Sequence, residues 1–559
     1  MKNYKLQKLE LTWIGKGDEQ VAIEPRILIE NPKYSYGDTE SGNMLIHGDN
    51  LLALKALEQE YSGQVKCIYI DPPYNTGSAF EHYDDGIEHS IWLSLMRERI
   101  QVLYNLLDAK EGTLWISLDD NEQAYCKVIC DEIFGRGNFV ANVIWEKKYS
   151  PQNAAKWLSD SHDFILVYAK NKEAWHPHLL PRTKEMDARY INRDNDPRGP
   201  WKASDATAQA GHGTKSQFYI LHAPNGKDYS LPPGRCWLYT EPVMLEKIAD
   251  NRIWFGESGT NVPAVKKYLS EVKQGIACKT IWFRDEVGDN QEAKKEIKQL
   301  FPHDENPFET PKPERLIERI ITLASNTGDI VLDSFLGSGT TAAVAQKMRR
   351  RYIGIELGNH AYTHCYPRLK KVTDGTDQGG ISKAQNWKGG SGFKFYELAP
   401  SLLKKDKFGN LVINKEYNAD MLAAAMAKQE GYTYQPDAAL YWKQGQSSEH
   451  DFIYTTTQFL TVESLDAISE TMQEGESLLI CCTAFQKECT THHPNITVKK
   501  IPQMLLGRCE FNKDNYNLNI IDMPKMDEED DIEDIDFLET APQEEIEEGN
   551  KNINPTLFD

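Results

Sequence analysis

Asp329–Ala345 reads DIVLDSFLGSGTTAAVA: a short apolar run, a turn with two glycines, and a helix of small residues. A buried strand entering a helix through such a turn leaves free N–H groups at the helix start, and its glycines let a ligand approach the backbone. Glu356 closes the next apolar run, nineteen residues after Gly337, where an acid can grip ribose hydroxyls. No Gly-Lys-Ser/Thr follows the turn, which argues against a nucleotide-hydrolysing phosphate loop.

A second stretch, Lys66–Gly77, reads KCIYIDPPYNTG. Two prolines directly after an apolar strand cannot continue a ladder. They fix φ and hold Asp71, the Pro72 carbonyl, Pro73 and Tyr74 at the strand's carboxyl end, where open α/β sheets place ligands.

Around these motifs the first 370 residues alternate apolar runs with amphipathic stretches. This pattern predicts an α/β fold with a seven-stranded, mostly parallel Rossmann-like sheet. The strands are expected at 44–47, 66–70, 113–118, 142–146, 163–168, 329–333 and 352–356, and the helices at 90–107, 123–134, 313–324 and 340–350. Six glycines within 374–392 predict a linker. Residues 393–525 are expected to form a separate small α/β domain suited to a protein partner.

The chain has 559 residues and a formal net charge of −21. Such acidity first argues against nucleic acid, but it is unevenly spread. Thirteen acidic residues and no basic ones lie between Met526 and Glu548, which predicts an acidic disordered tail over 526–559. Residues 141–280 carry about five surplus positive charges and sixteen aromatics, the composition of a nucleic-acid-facing segment. Lys215, Arg235, Arg252, Lys266 and Lys267 are candidate phosphate or base contacts. Ten scattered cysteines without a Cys-x-x-Cys pair predict buried thiols in a reducing cytoplasm and no metal site. No signal-peptide core or membrane-length apolar run is present.

DPPY followed by FLGSGTT resembles the amino-group DNA methyltransferases, in the permuted β arrangement with the catalytic motif first. TPKPERLI (310–317) resembles that family's cofactor-side helix motif, and NMLIHGDNL (43–51) the strand whose acid, here Asp49, contacts the cofactor's adenine. WEKKYSPQNAAKWLSDSHDFILVYAK (145–170) resembles the target-base pocket hairpin. RIWFGESGTNVPAVKKYLSEVKQG (252–275) and QEAKKE (291–296) further resemble the modification subunits of Type III restriction-modification systems.

The resemblance implies an S-adenosylmethionine-dependent enzyme that methylates the exocyclic amine of a base flipped out of double-stranded DNA. It implies catalysis by Asp71, Pro72, Pro73 and Tyr74, with Trp145 and Tyr149 flanking the base. It also implies cofactor binding by Asp49, Lys312, Pro313, Asp333, Phe335, Gly337, Gly339, Thr340 and Glu356. The expected organisation is an extension at 1–40, a catalytic half at 41–170, a target-recognition region at 171–300 and a cofactor half at 301–373. Partners implied are a second copy of the chain and a restriction helicase-nuclease. Adenine N6 is the expected target; cytosine N4, or a non-catalytic DNA-recognition subunit, are the alternatives.

Overall fold

The computed structural model describes residues 10–14, 16, 22–74, 85–151, 155–303 and 308–516. The acidic stretch 526–559 lies outside the described residues.

Eleven strands build the central sheet: β1 (Leu28–Glu30), β2 (Tyr36–Gly37), β3 (Met44–His47), β4 (Val65–Ile70), β5 (Thr113–Leu118), β6 (Phe139–Glu146), β7 (His162–Ala169), β8 (Ile281–Trp282), β9 (Ile330–Asp333), β10 (Arg351–Glu356) and β11 (Gly392–Leu398). The order is β1-β11-β3-β10-β9-β4-β5-β7-β6-β8, with β2 paired to β11. From β11 to β5 every neighbouring pair is parallel, whereas β7 runs antiparallel to both β5 and β6. The seven expected strands form the middle of this sheet. Four further ones extend it, each too short or too polar to show as an apolar run.

Strands β4, β5, β9 and β10 are almost wholly buried, because helices cover both faces of a parallel sheet. Alternation divides their side chains between two layers. Cys67, Tyr69 and Val331 face a core shared with α4 (Glu314–Ala324), α5 (Thr340–Lys347) and α6 (Tyr366–Thr373). Ile68, Ile70 and Leu332 face α1 (Asn50–Tyr61), α2 (Asp85–Leu106) and α3 (Gln123–Phe134). Cys126 and Cys130 are buried on α3, and all ten cysteines are free.

The glycine-rich 374–392 stretch is a correction to the linker expectation. Ile381 and Trp387 are buried, and the Trp387 indole donates to the Val372 carbonyl at 2.8 Å. A Cβ on Gly389 would stand 2.7 Å from the Gly375 nitrogen, so this glycine serves close backbone packing. The domain boundary moves accordingly, because β11 belongs to the central sheet and pairs in parallel with β3. Beyond it, strands Thr433–Tyr434, Gly445–Ser448, Asp451–Leu460, Ser477–Phe485 and Ile496–Lys500 form a separate mixed sheet. No described helix is long and apolar enough to cross a membrane.

Candidate active site

Strands β9 and β4 lie side by side, with Leu332 opposite Ile68. Asp333 and Asp71 therefore emerge at the same sheet edge. From β9 the chain crosses to β10 on one side; from β4 it crosses to β5 on the other. This is a topological switch point, where diverging connections leave a crevice. The deciding motifs thus meet although about 260 residues separate them in the chain.

At the β4 end, Pro72 is buried and the Pro73 carbonyl accepts the Trp92 indole N–H at 2.7 Å, which anchors the turn to α2. The Tyr74 hydroxyl donates to Asp71 Oδ1 at 2.8 Å, and Lys312 Nζ donates to Oδ2 at 2.5 Å. Burial, and then the Asp71 charge, push the Tyr74 phenol well above its ordinary range, so it stays a donor.

At the β9 end, Gly337 takes a positive φ of 56°, and a Cβ there would meet the Phe308 ring at 2.9 Å. Asp333 braces the turn, accepting the Phe335 N–H at 2.9 Å and the Thr341 hydroxyl at 2.6 Å. Burial dominates its acidity and pushes the carboxyl up to about 7. Glu356 accepts the Gly337 N–H at 2.7 Å and the Gly358 N–H at 2.9 Å. Its carboxyl is also raised, chiefly by burial. Gly339 caps α5 in the left-handed conformation, and the Thr340 hydroxyl accepts from Arg368 at 2.8 Å.

Pro313 caps α4 instead of occupying its first turn. The next residue, Glu314, is a buried hub: both its oxygens take Lys347 Nζ at 2.8 Å, and Arg368 and the Ile381 N–H add to it. This pairing joins α4, α5, α6 and the 374–392 stretch beneath the glycine turn. Neither Arg368 nor Lys347 is singled out by sequence, since a buried cation has no local signature.

Two expected roles are corrected, those of Trp145 and Asp49. Trp145 is fully buried and its indole donates to the Gly288 carbonyl at 2.9 Å, so it is a core residue and presents no free face. Tyr149 is exposed, with the Arg284 guanidinium 3.8 Å over its ring. Asp49 is buried as the N-cap of α1, accepting the Leu51 and Leu52 N–H groups and the Tyr516 N–H beside Arg99. Its carboxylate is spent on structure.

Among the basic candidates, Lys266 is buried against Asp194 and Asp196, and Arg252 is held by Glu271 and Asp250. Arg235 pairs with Asp205, while Lys215 and Lys267 are exposed. Sequence reading missed Asp163 and Lys147. Asp163, the second residue of β7, stands at the active edge with its side chain 5% exposed, and Lys147 Nζ donates to its Oδ1 at 2.7 Å. The available signal was a carboxylate at the start of an apolar strand.

A doubly wound sheet with an acidic strand exit and a glycine turn at its switch point is the arrangement in which open α/β folds bind nucleotide-like ligands. Residues 65–366 match the DNA methylase family, and the chain belongs to that family. It is 34% identical over 417 residues to the probable type III restriction-modification enzyme HindVI Mod subunit of Haemophilus influenzae, covering 65% of this chain and 54% of that protein. It is 36% identical over 350 residues to the StyLTI Mod subunit of Salmonella typhimurium, covering 57% and 51%. To the EcoP15I Mod subunit of Escherichia coli it is 27% identical over 497 residues, covering 74% and 75%. The chain spans about half the length of the first two.

Proposed function

We propose that this chain transfers a methyl group from S-adenosylmethionine to the N6 amine of an adenine flipped out of double-stranded DNA. We read it as the modification and recognition subunit of a Type III-like restriction-modification system. The observation that carries this reading is the meeting of Asp71 with the glycine turn at one switch point, in a chain of the DNA methylase family.

The residues at the β9 end fit the cofactor. A side-chain-free turn at Gly337, the half-buried Phe335 and the half-buried Glu356 carboxylate offer backbone approach, an apolar wall and a hydroxyl acceptor. When bound, S-adenosylmethionine supplies an activated methyl group.

The protein's part is to prepare the amine. An adenine amine is a weak nucleophile because its lone pair is delocalised into the ring. Acceptance of its two N–H bonds by Asp71 and the Pro72 carbonyl turns that lone pair toward the methyl. The carboxylate then stabilises the positive charge growing on nitrogen, a preorganised contact worth about 3–4 kcal/mol. Proton loss follows through Asp71 or solvent. Flipping the base costs a few kcal/mol, and stacking on Tyr74 or the exposed Tyr149 returns about 1–3 kcal/mol.

The relatives are named as Mod subunits of type III restriction-modification enzymes, which supports a restriction-subunit partner; the proposal adds a homodimer, 171–300 as the target-recognition region and the C-terminal domain as the docking module. Single-molecule sequencing of DNA from cells with and without the gene tests the reading. Modified adenines in one strand-specific sequence are expected; modified cytosines, or no difference, would contradict it.

A further inference from the structure

Both oxygens of Asp71 are already taken: Oδ1 by the Tyr74 hydroxyl and Oδ2 by Lys312. An incoming amine must therefore share Asp71 with these donors or replace one of them. Lys312 is the donor that resembles the amine, presenting N–H to the same carboxylate oxygen. It comes from TPKP, the segment ahead of α4, and its side chain is only 10% exposed. A displaced ammonium in that position needs another anion, because a buried unpaired charge costs several kcal/mol.

Asp163 is the buried carboxylate at the same end of the sheet. It stands at the active edge of β7, where β7 pairs with β5, the strand next to β4. Lys147 engages its Oδ1 and also reaches Asp160. A carboxylate has about four lone-pair sites, so a second ammonium can be received. The Asp163 carboxyl is raised chiefly by burial, while the charges of Lys147 and Lys312 pull it down and that of Asp71 pushes it up. Asp71, Lys312 and Asp163 therefore share one electrostatic neighbourhood. Lys312 also lies 5.3 Å from the Tyr74 ring centre, so its departure would clear that ring face.

We propose that Lys312 is a positioning residue that alternates between two carboxylates, resting on Asp71 in the empty site and passing to Asp163 when the target amine arrives. Asp163 is thereby the second seat of the exchange, and Lys147 keeps that seat in place. This rests on the methyl-transfer reading above. It departs from the expected cofactor role of Lys312.

The test uses the full chain and a duplex bearing the sequence that the wild-type protein modifies. If the wild type transfers no methyl to DNA, the functional reading fails before the variants are compared. Given activity, Lys312→Arg should lower kcat by about tenfold relative to Lys312→Met, because a guanidinium grips a carboxylate through two parallel hydrogen bonds and leaves it less readily. Asp163→Asn should also lower kcat by about tenfold, and adding Lys312→Met to it should recover most of that loss. S-adenosylmethionine affinity, measured by calorimetry, should be unchanged in Lys312→Met. Lys312→Arg keeps the Lys147–Asp163 pair, so it remains informative if Asp163→Asn misfolds. The proposal is overturned if Lys312→Arg matches the wild type while Lys312→Met is slow. It is equally overturned if the double variant is no faster than Asp163→Asn, or if Lys312→Met loses cofactor binding.

Discussion

Glu356 holds the amide N–H of Gly337 at 2.7 Å, so the acid that ends β10 fixes the turn that ends β9. The same carboxylate gathers the Gly358 N–H and is half-buried. Replacing Glu356 by Ala removes a charged acceptor worth about 1.5–3 kcal/mol. S-adenosylmethionine affinity should then fall about 10- to 100-fold in calorimetry. Unchanged affinity would show that Glu356 only braces the loop.

Asp49 should behave in the opposite way. Asp49→Ala removes the α1 N-cap, costing about 1–2 kcal/mol, and withdraws a carboxylate from the buried Arg99. The melting temperature should drop by several degrees while cofactor affinity holds. Asp49→Asn, which still caps, should lose less.

Stability should also carry the signature of Asp333. Its folded carboxyl sits near 7, against about 3.9 in an unfolded chain. Between those values the folded state binds the proton more tightly, so this group's contribution to stability falls as pH rises from about 4 to about 7. Asp333→Asn removes that dependence. The melting temperature of the Asn variant relative to wild type should therefore climb from about pH 5 to about pH 8. A flat difference would mean that Asp333 is ionised throughout.

Trp145 and Tyr149 should separate in the same spirit. Trp145→Ala empties a fully buried core position and should cost about 3–5 kcal/mol of stability. Tyr149→Ala touches an exposed ring and should leave the melting temperature within a degree or two. Its effect should fall on methylation, with a rise in KM for DNA or a loss in kcat.

Much of this was legible because burial and turn chemistry are local. Apolar runs marked all seven middle strands within a few residues. The prolines of DPPY and the glycines of FLGSGTT marked the two exits, since few other residues make those turns. Long-range pairing was not legible. Nothing local tells that Asp49 meets Tyr516 and Arg99, that Lys266 is held by Asp194 and Asp196, or that the glycines of 374–392 serve close packing. Lys312 was placed with the cofactor because its motif is; only the fold brings its ammonium to Asp71.

The most direct test of the central claim is Asp71→Ala assayed for transfer of a labelled methyl group to DNA. Cofactor binding is followed in parallel by calorimetry. The account predicts a loss of about 100- to 1,000-fold in methyl transfer with S-adenosylmethionine affinity nearly unchanged. A variant that keeps substantial methyl transfer would contradict it.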